Sequence, residues 1–202
     1  MFEFHVVVSD VPISIDTRHA LVAKAAVQAG ADIVNDVSGG RFDLQMLPTV
    51  SQLQVPIVLM HSRGTPETMQ SMVDYDDIVI DIASSLMECS LAAENAGISR
   101  WLQILDPGIG FAKNIDQNLS LLKHSPKLRS LTTNIPFLFG ASRKGFIGKI
   151  SGESRPEERD FGTVTACVFG VGWKQVPTVV RVHNVKGLKQ AMMVMDSILK
   201  AA

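Results

Sequence analysis

An α/β fold of the TIM (β/α)8-barrel type, incomplete at six clear βα units, is what this sequence predicts. Three observations carry the prediction. Short, near-continuously apolar runs alternate with stripes at helical spacing, as in a parallel sheet covered by helices. Gly, Pro and Asn punctuate the joints. Each run also ends in polar or charged residues, and barrel enzymes build their sites from the loops at the C-terminal ends of strands.

The elements follow in order. The first apolar stretch, FHVVV at 4–8, is ambiguous. Ile13 to Asp16 reads as a short strand, and Val22, Ala25, Ala26 and Ala29 recur at helical spacing before Gly30 closes the helix. Ala31 to Val34 makes the next strand, ending in Asn35 and Asp36, with SGG and a helix over Leu44 to Gln54 behind it. Pro56 to Met60 is a third strand, because Pro is tolerated at a strand's first position, and it runs into His61. After the polar loop HSRGTPETMQ, Ile78, Ile82, Leu86, Cys89 and Ala93 form one face of a long helix that stops at Gly97. Trp101 to Leu105 is the fourth strand, followed by a helix carrying Leu119 and Leu122. Pro136 to Phe139 is the fifth; Phe161, Val164, Val168 and Val171 stripe the helix after it. Thr178 to Val182 is the sixth strand, ending at His183, and Leu188, Met192, Met195 and Leu199 mark the last helix. Six strands thus alternate with six helices where a closed barrel takes eight strands; either FHVVV supplies one poorly, or the chain lacks the first two βα units.

Composition narrows the function classes. With 202 residues, 46% hydrophobic and 19% charged, the chain forms one domain over 1–202 without a compositional break. Its net charge of −1 and lack of any basic block argue against nucleic acid and anionic membrane surfaces. No apolar run approaches the roughly 20 residues that span a bilayer. The opening MFEFHVVVSD has acids where a secretory signal carries basic residues, so a soluble, cytoplasmic protein is expected. Cys89 and Cys167 lack metal-ligand spacing and read as buried, reduced thiols.

The stretch LDPGIGFAK, Leu105 to Lys113, is the densest in chemistry. A buried strand runs into Asp106, Gly108 and Gly110 let the backbone approach a ligand closely, and Phe111 offers a flat apolar face. Taken singly, these residues have plainer readings. Asp106 and Asp16 serve equally as helix N-caps, Asn35 as a cap or turn residue, and Arg143 with Lys144 as a solvated basic turn. Arg63 is an anion-binding candidate or an exposed loop cation. Arg181 and His183 alternate, so on a strand they share a face and point to the mouth of the fold.

Six motifs in order carry a resemblance: SIDT at 14–17, VNDVSGG at 34–40, LMHSRGTPETMQ at 59–70, DPGIGFAKN at 106–114, GASRKGFIG at 140–148 and RVHNV at 181–185. In these the chain resembles the dihydropteroate synthase family. Asn184 and the ERD at Glu158 to Asp160 look like that family's eukaryotic form. The resemblance implies a pterin-binding barrel that condenses 6-hydroxymethyl-7,8-dihydropterin diphosphate with 4-aminobenzoate, giving 7,8-dihydropteroate and diphosphate. It implies substrate contacts from Asp16, Asn35, Met60, Asp106, Phe111, Gly140, Ser142, Lys144, Arg181 and His183, with Asp16, Asp106, Lys144, Arg181 and His183 catalytic. A pterin edge presents an amino group, a ring N–H and a carbonyl. Asp106 suits the two donors and Lys144 the acceptor, while Arg181 suits a diphosphate.

Departures from the family are as informative. Motifs like NVTPDSFSDGG and DIGGESTRPG, the first of which holds the asparagine that binds magnesium on the diphosphate, are missing. The resemblance therefore implies a Mg2+ cofactor whose ligand this chain lacks, an N-terminally truncated domain and an atypical segment at 1–12. Ala112 and Gly145 also stand where the family usually has Gly and a larger residue. Family membership further implies a possible homodimer, and a mitochondrial location if the parent protein is plant-type. The alternatives are a catalytically incomplete pterin-binding remnant, a folate-dependent methyltransferase relative, which SRK and RVH argue against, and, weaker still, a Schiff-base aldolase using Lys144.

Overall fold

The computed structural model describes residues 10–65, 67–133, 135–171 and 178–201; the FHVVV stretch lies outside them. Six parallel strands run in one sheet in the order of the sequence: β1 (Ser14–Asp16), β2 (Ile33–Asp36), β3 (Ile57–Met60), β4 (Gln103–Asp106), β5 (Phe137–Phe139) and β6 (Thr178–Val180). If the sheet were flat, five spacings of about 4.8 Å would hold β1 and β6 roughly 24 Å apart. Yet Arg181, just after β6, places its Nη2 3.6 Å from Asp16 Oδ2 at the end of β1. The sheet is therefore curled into a partial barrel whose two edges face each other at the C-terminal mouth.

Strand register decides which side chains face which way. Asp16 pairs with Asn35, Asn35 with Val58, Val58 with Ile104 and Leu138 with Val179, so these share the concave face with Met60 and Asp106. The alternate residues Val34, Ile57, Leu59, Leu105, Phe137 and Phe139 face the helices and are essentially fully buried. The main core is thus the layer between sheet and helices, while the concave face is only partly covered, with Val179 46% exposed.

Eight α-helices surround the sheet among the described residues: α1 (Ala20–Gln28), α2 (Met46–Leu53), α3 (Ile78–Asn95), α4 (Ile115–Lys123), α5 (Ser125–Leu131), α6 (Gly145–Ser151), α7 (Asp160–Val171) and α8 (Val185–Lys200). Two escape a periodicity reading. Helices α5 and α6 have seven residues each, too few for a repeating stripe; one opens on Ser-Pro, allowed in a first turn, and the other on Gly145.

Four expected faces or ends also differ. Phe161 is 90% exposed, because α7 packs through its small residues Thr163, Cys167 and Gly170. A Cβ on Gly170 would lie 2.8 Å from Leu122 Cδ2, so the close approach selects small size over hydrophobicity. Leu119 is exposed while Leu121 is buried, and Trp101 lies in a 3-10 turn (Arg100–Leu102) ahead of β4, largely in solvent. Strand β6 stops at Val180, so Arg181 and His183 belong to the following loop instead of a shared strand face.

Cys89 and Cys167 are free and buried, and burial lifts the Cys167 thiol to about 11. No helix among the described residues is long and apolar enough to cross a membrane. The assigned faces predict that Leu121→Ala costs about 2–5 kcal/mol while Phe161→Ala stays within about 0.5 kcal/mol, read from urea denaturation midpoints.

Candidate functional site

The end of β4 sets the site. Asp106 is buried, and its Oδ1 accepts the Gly108 N–H at 2.7 Å, which turns the chain back on itself. Gly108 is obligatory: its φ is +67°, and a Cβ there would sit 2.0 Å from the His61 carbonyl oxygen. Burial pushes the Asp106 carboxyl up, against the pull of Lys144, the Gly108 N–H, Lys113 and Arg181.

Lys113 lies behind this loop and is almost fully buried. Its Nζ donates to Gly108 O at 3.0 Å and Phe111 O at 2.9 Å, and lies 3.2 Å from His61 Nδ1. An ammonium has three donors, and here all three have acceptors. Burial lowers Lys113 to about 7, with Asp106 opposing the fall. His61 drops to about 3, chiefly through burial and then the Lys113 charge, so it is a neutral acceptor. Neither residue was marked as functional in the sequence; a lysine closing an otherwise apolar Gly-rich loop was the signal that could have found Lys113.

The expected binding residues gather from different strands. Asn35 Nδ2 donates to Asp16 Oδ2 at 3.2 Å, while its Oδ1 is buried without a partner among the described residues. A buried, unused acceptor costs free energy until something donates to it. Met60 pairs in register with Asp106 and, with Phe111, Val37, Arg18 and Arg63, lines a cavity of about 360 Å3. Lys144 crosses from the β5 loop: its Nζ donates to Ile109 O and lies 4.2 Å from the Phe111 ring centroid. Gly110 leaves the space, since a Cβ there would meet Lys144 Cδ at 2.5 Å. Burial lowers Lys144 to about 8, with Asp106 opposing.

On the far side, Ser142 Oγ is 2.8 Å from His183 Nδ1, and Arg181 pairs with Asp16. Gly140 is buried between β5 and this loop. Two cations with open readings in the sequence have protein partners. Arg63 stacks 3.9 Å from the Tyr75 ring centroid and donates to Asp74 O, and Arg143 pairs with Asp160. Asp36 is structural, accepting from the Ser38 N–H and hydroxyl and from the Gly40 N–H to form the SGG turn.

What results is a concave, cation-rich mouth with buried acceptors at Asp106 and Asn35 and a donor at Lys144. Among the described residues no group of three or more His, Cys, Asp or Glu could hold a metal ion.

Comparison with known proteins matches residues 4–183 to the pterin binding enzyme family. A dihydropteroate synthase of Synechocystis is 43% identical over 94% of this chain and 64% of its own length. The folic acid synthesis protein fol1 of Pneumocystis carinii is 43% identical over 95% of this chain and 26% of its own. The chain thus spans under two thirds of these relatives. Dihydropteroate synthase of Stenotrophomonas maltophilia superposes with a TM-score of 0.89 at 36% identity, covering 96% of this chain and 71% of that one. The Xanthomonas albilineans enzyme, solved with 7,8-dihydropteroate, gives 0.87 at 36% identity, covering 96% and 69%.

Lys113→Met removes a cation near Asp106 and takes the donor from His61 Nδ1 and from the Phe111 carbonyl, while Gly108 O keeps the Phe111 N–H. Carbon-13 titration of Asp106 then moves further up, and unfolding stability falls by about 1–3 kcal/mol for each acceptor left unsatisfied.

Proposed function

The chain belongs to the pterin binding enzyme family, and from that premise we propose that it performs the dihydropteroate synthase reaction. The observation that carries the reading is the buried, unpartnered Oδ1 of Asn35 on the concave face it shares with the Asp106 carboxylate. Two buried acceptors there suit the amino and N–H donors of a pterin edge. Solved relatives support it: the Xanthomonas enzyme has been seen with 7,8-dihydropteroate and with 4-aminobenzoic acid, and a Thermus thermophilus synthase with 6HMPPP.

Asp106 accepts from the pterin amino and ring N–H, a charge-assisted pair that also fixes orientation. Lys144 exchanges its Ile109 carbonyl partner for the pterin carbonyl and, with Phe111 and Ser142, borders the aminobenzoate. Met60 and Gly140 flank the ring. Arg181 and His183 hold the diphosphate. The bond between the pterin methylene and the diphosphate oxygen breaks, and the diphosphate leaves with the electron pair. Asp16 and Asp106 stabilise the positive charge that develops on the ring. The aniline nitrogen then forms the new C–N bond and loses one proton to solvent water. No protein nucleophile takes part.

The purified chain, given the dihydropterin diphosphate and labelled 4-aminobenzoate in magnesium buffer, is expected to release labelled dihydropteroate. Asp106→Asn should lower kcat/KM about 10- to 100-fold through the lost charge-assisted pair. Pterin binding without product from a folded chain would establish the remnant reading instead.

For partners we propose a homodimer through α7 and α8. Of α8 only Leu188 is buried, whereas Met193, Val194 and Ile198 are exposed, and Phe169 of α7 is exposed beside Val194 and Ile198. Light scattering should show twice the chain mass, and Val194→Glu with Ile198→Glu should halve it while leaving circular dichroism unchanged. For location we propose the cytoplasm, noting that plant relatives include mitochondrial proteins.

A further inference from the structure

Two loops carry the groups assigned above to the diphosphate and aminobenzoate, and one carboxylate outside the site ties them together. Asp160, the first residue of α7, accepts Arg143 Nε on Oδ1 at 2.8 Å and Arg143 Nη2 on Oδ2 at 3.1 Å. The same Oδ2 accepts Asn184 Nδ2 at 3.2 Å. Arg143 stands between Ser142 and Lys144 in the β5 loop, and Asn184 follows His183 in the β6 loop. One side chain therefore holds the residues next to Lys144, Ser142 and His183.

The hold on Arg143 is unusually complete. Its φ is +59°, a left-handed conformation that a residue with a Cβ adopts only under constraint. Its N–H donates to Thr163 Oγ1 at 2.9 Å, its carbonyl accepts from Arg159 Nη1 at 3.0 Å, and its guanidinium forks onto Asp160. This reversal leaves Ser142 and Lys144, on either side of it, turned into the mouth.

Across the mouth the two loops meet again. Ser142 Oγ accepts the His183 backbone N–H at 3.2 Å and lies 2.8 Å from His183 Nδ1. The contact engages Nδ1 whichever group donates, and with the Ser142 hydroxyl as the donor the ring proton sits on Nε2. That tautomer can donate to an anion. Asn184 is fixed from both ends, since its Oδ1 also accepts the Gly187 N–H at 2.9 Å and caps α8.

We propose that Asp160 is a positioning residue: by clamping Arg143 and Asn184 it sets the placement of Lys144 and Ser142 and the tautomer of His183, without touching substrate. The Arg143 guanidinium beside it holds its carboxyl below the usual range, so the clamp stays charged at neutral pH. A fork of this kind needs the planar guanidinium, and lysine cannot reproduce it. The kinetic half of the inference rests on the synthase reading; the structural half does not.

The test pairs Asp160→Ala and Asp160→Glu with Arg143→Lys, which keeps the carboxylate but removes the fork. In nitrogen-15 spectra the wild-type His183 should show one tautomer, protonated on Nε2; Asp160→Ala and Arg143→Lys should show a mixture, and Asp160→Glu should restore the wild-type pattern in part. KM for the dihydropterin diphosphate and for aminobenzoate should rise about 10-fold in Asp160→Ala and Arg143→Lys, while the affinity for the dihydropterin lacking diphosphate, which meets only Lys144 of the clamped groups, falls less. If Asp160→Ala fails to fold, Arg143→Lys carries the same readouts. An unchanged His183 spectrum with unchanged KM values would overturn the inference, as would an equal loss of dihydropterin affinity. A wild-type chain that makes no product would sink the synthase reading, and the His183 spectra would still decide the clamp.

Discussion

A carboxylate buried at the end of β4 has to be kept in a form that can accept hydrogen bonds, and much of the structure answers that demand. Burial favours the neutral acid at Asp106; Lys144, the Gly108 N–H, Lys113 and Arg181 all oppose it. The two lysines among them are themselves largely withdrawn from water, so both are lowered in turn, Lys113 to about 7 and Lys144 to about 8. Lys113 bears this because its three donors meet a histidine nitrogen and two carbonyls. His61 is consequently fixed as a neutral acceptor and Gly108 as a glycine, so one charge dictates residues on two strand ends.

Curvature is the second condition. Register alone gathers Asp16, Asn35, Met60 and Asp106 on one face, but a flat sheet would spread them over its width. The Arg181–Asp16 contact shows the sheet rolled far enough for its first and last strand ends to share an ion pair. Both partners are more than half exposed, so the pair adds little to stability. Its value lies in setting a cation and a carboxylate across the mouth from one another.

The loops are organised from behind. Lys113 braces the β4 loop from the helix side, Asp36 shapes the β2 loop, and Asp160 with Thr163 and Arg159 fixes the β5 loop at a left-handed arginine. Charged residues close to the site thus divide into those that face the mouth and those that hold the loops. Arg143 and Lys144, neighbours in sequence, fall on opposite sides of that division.

The alternation of apolar runs with helical stripes, and the polar residues at each run's end, determined the six strands and their order, because strand burial and loop chemistry are written locally. The motifs likewise named Asp16, Asn35, Asp106 and Lys144. Local pattern could not say that α7 packs on Thr163, Cys167 and Gly170 instead of Phe161, since close helix approach rewards small size and not hydrophobicity. Nor could it reveal Lys113 beneath Asp106, or Asp160 beneath Arg143. Those depend on which side chains are brought within a few ångströms by residues tens of positions apart, and only the tertiary structure decides that.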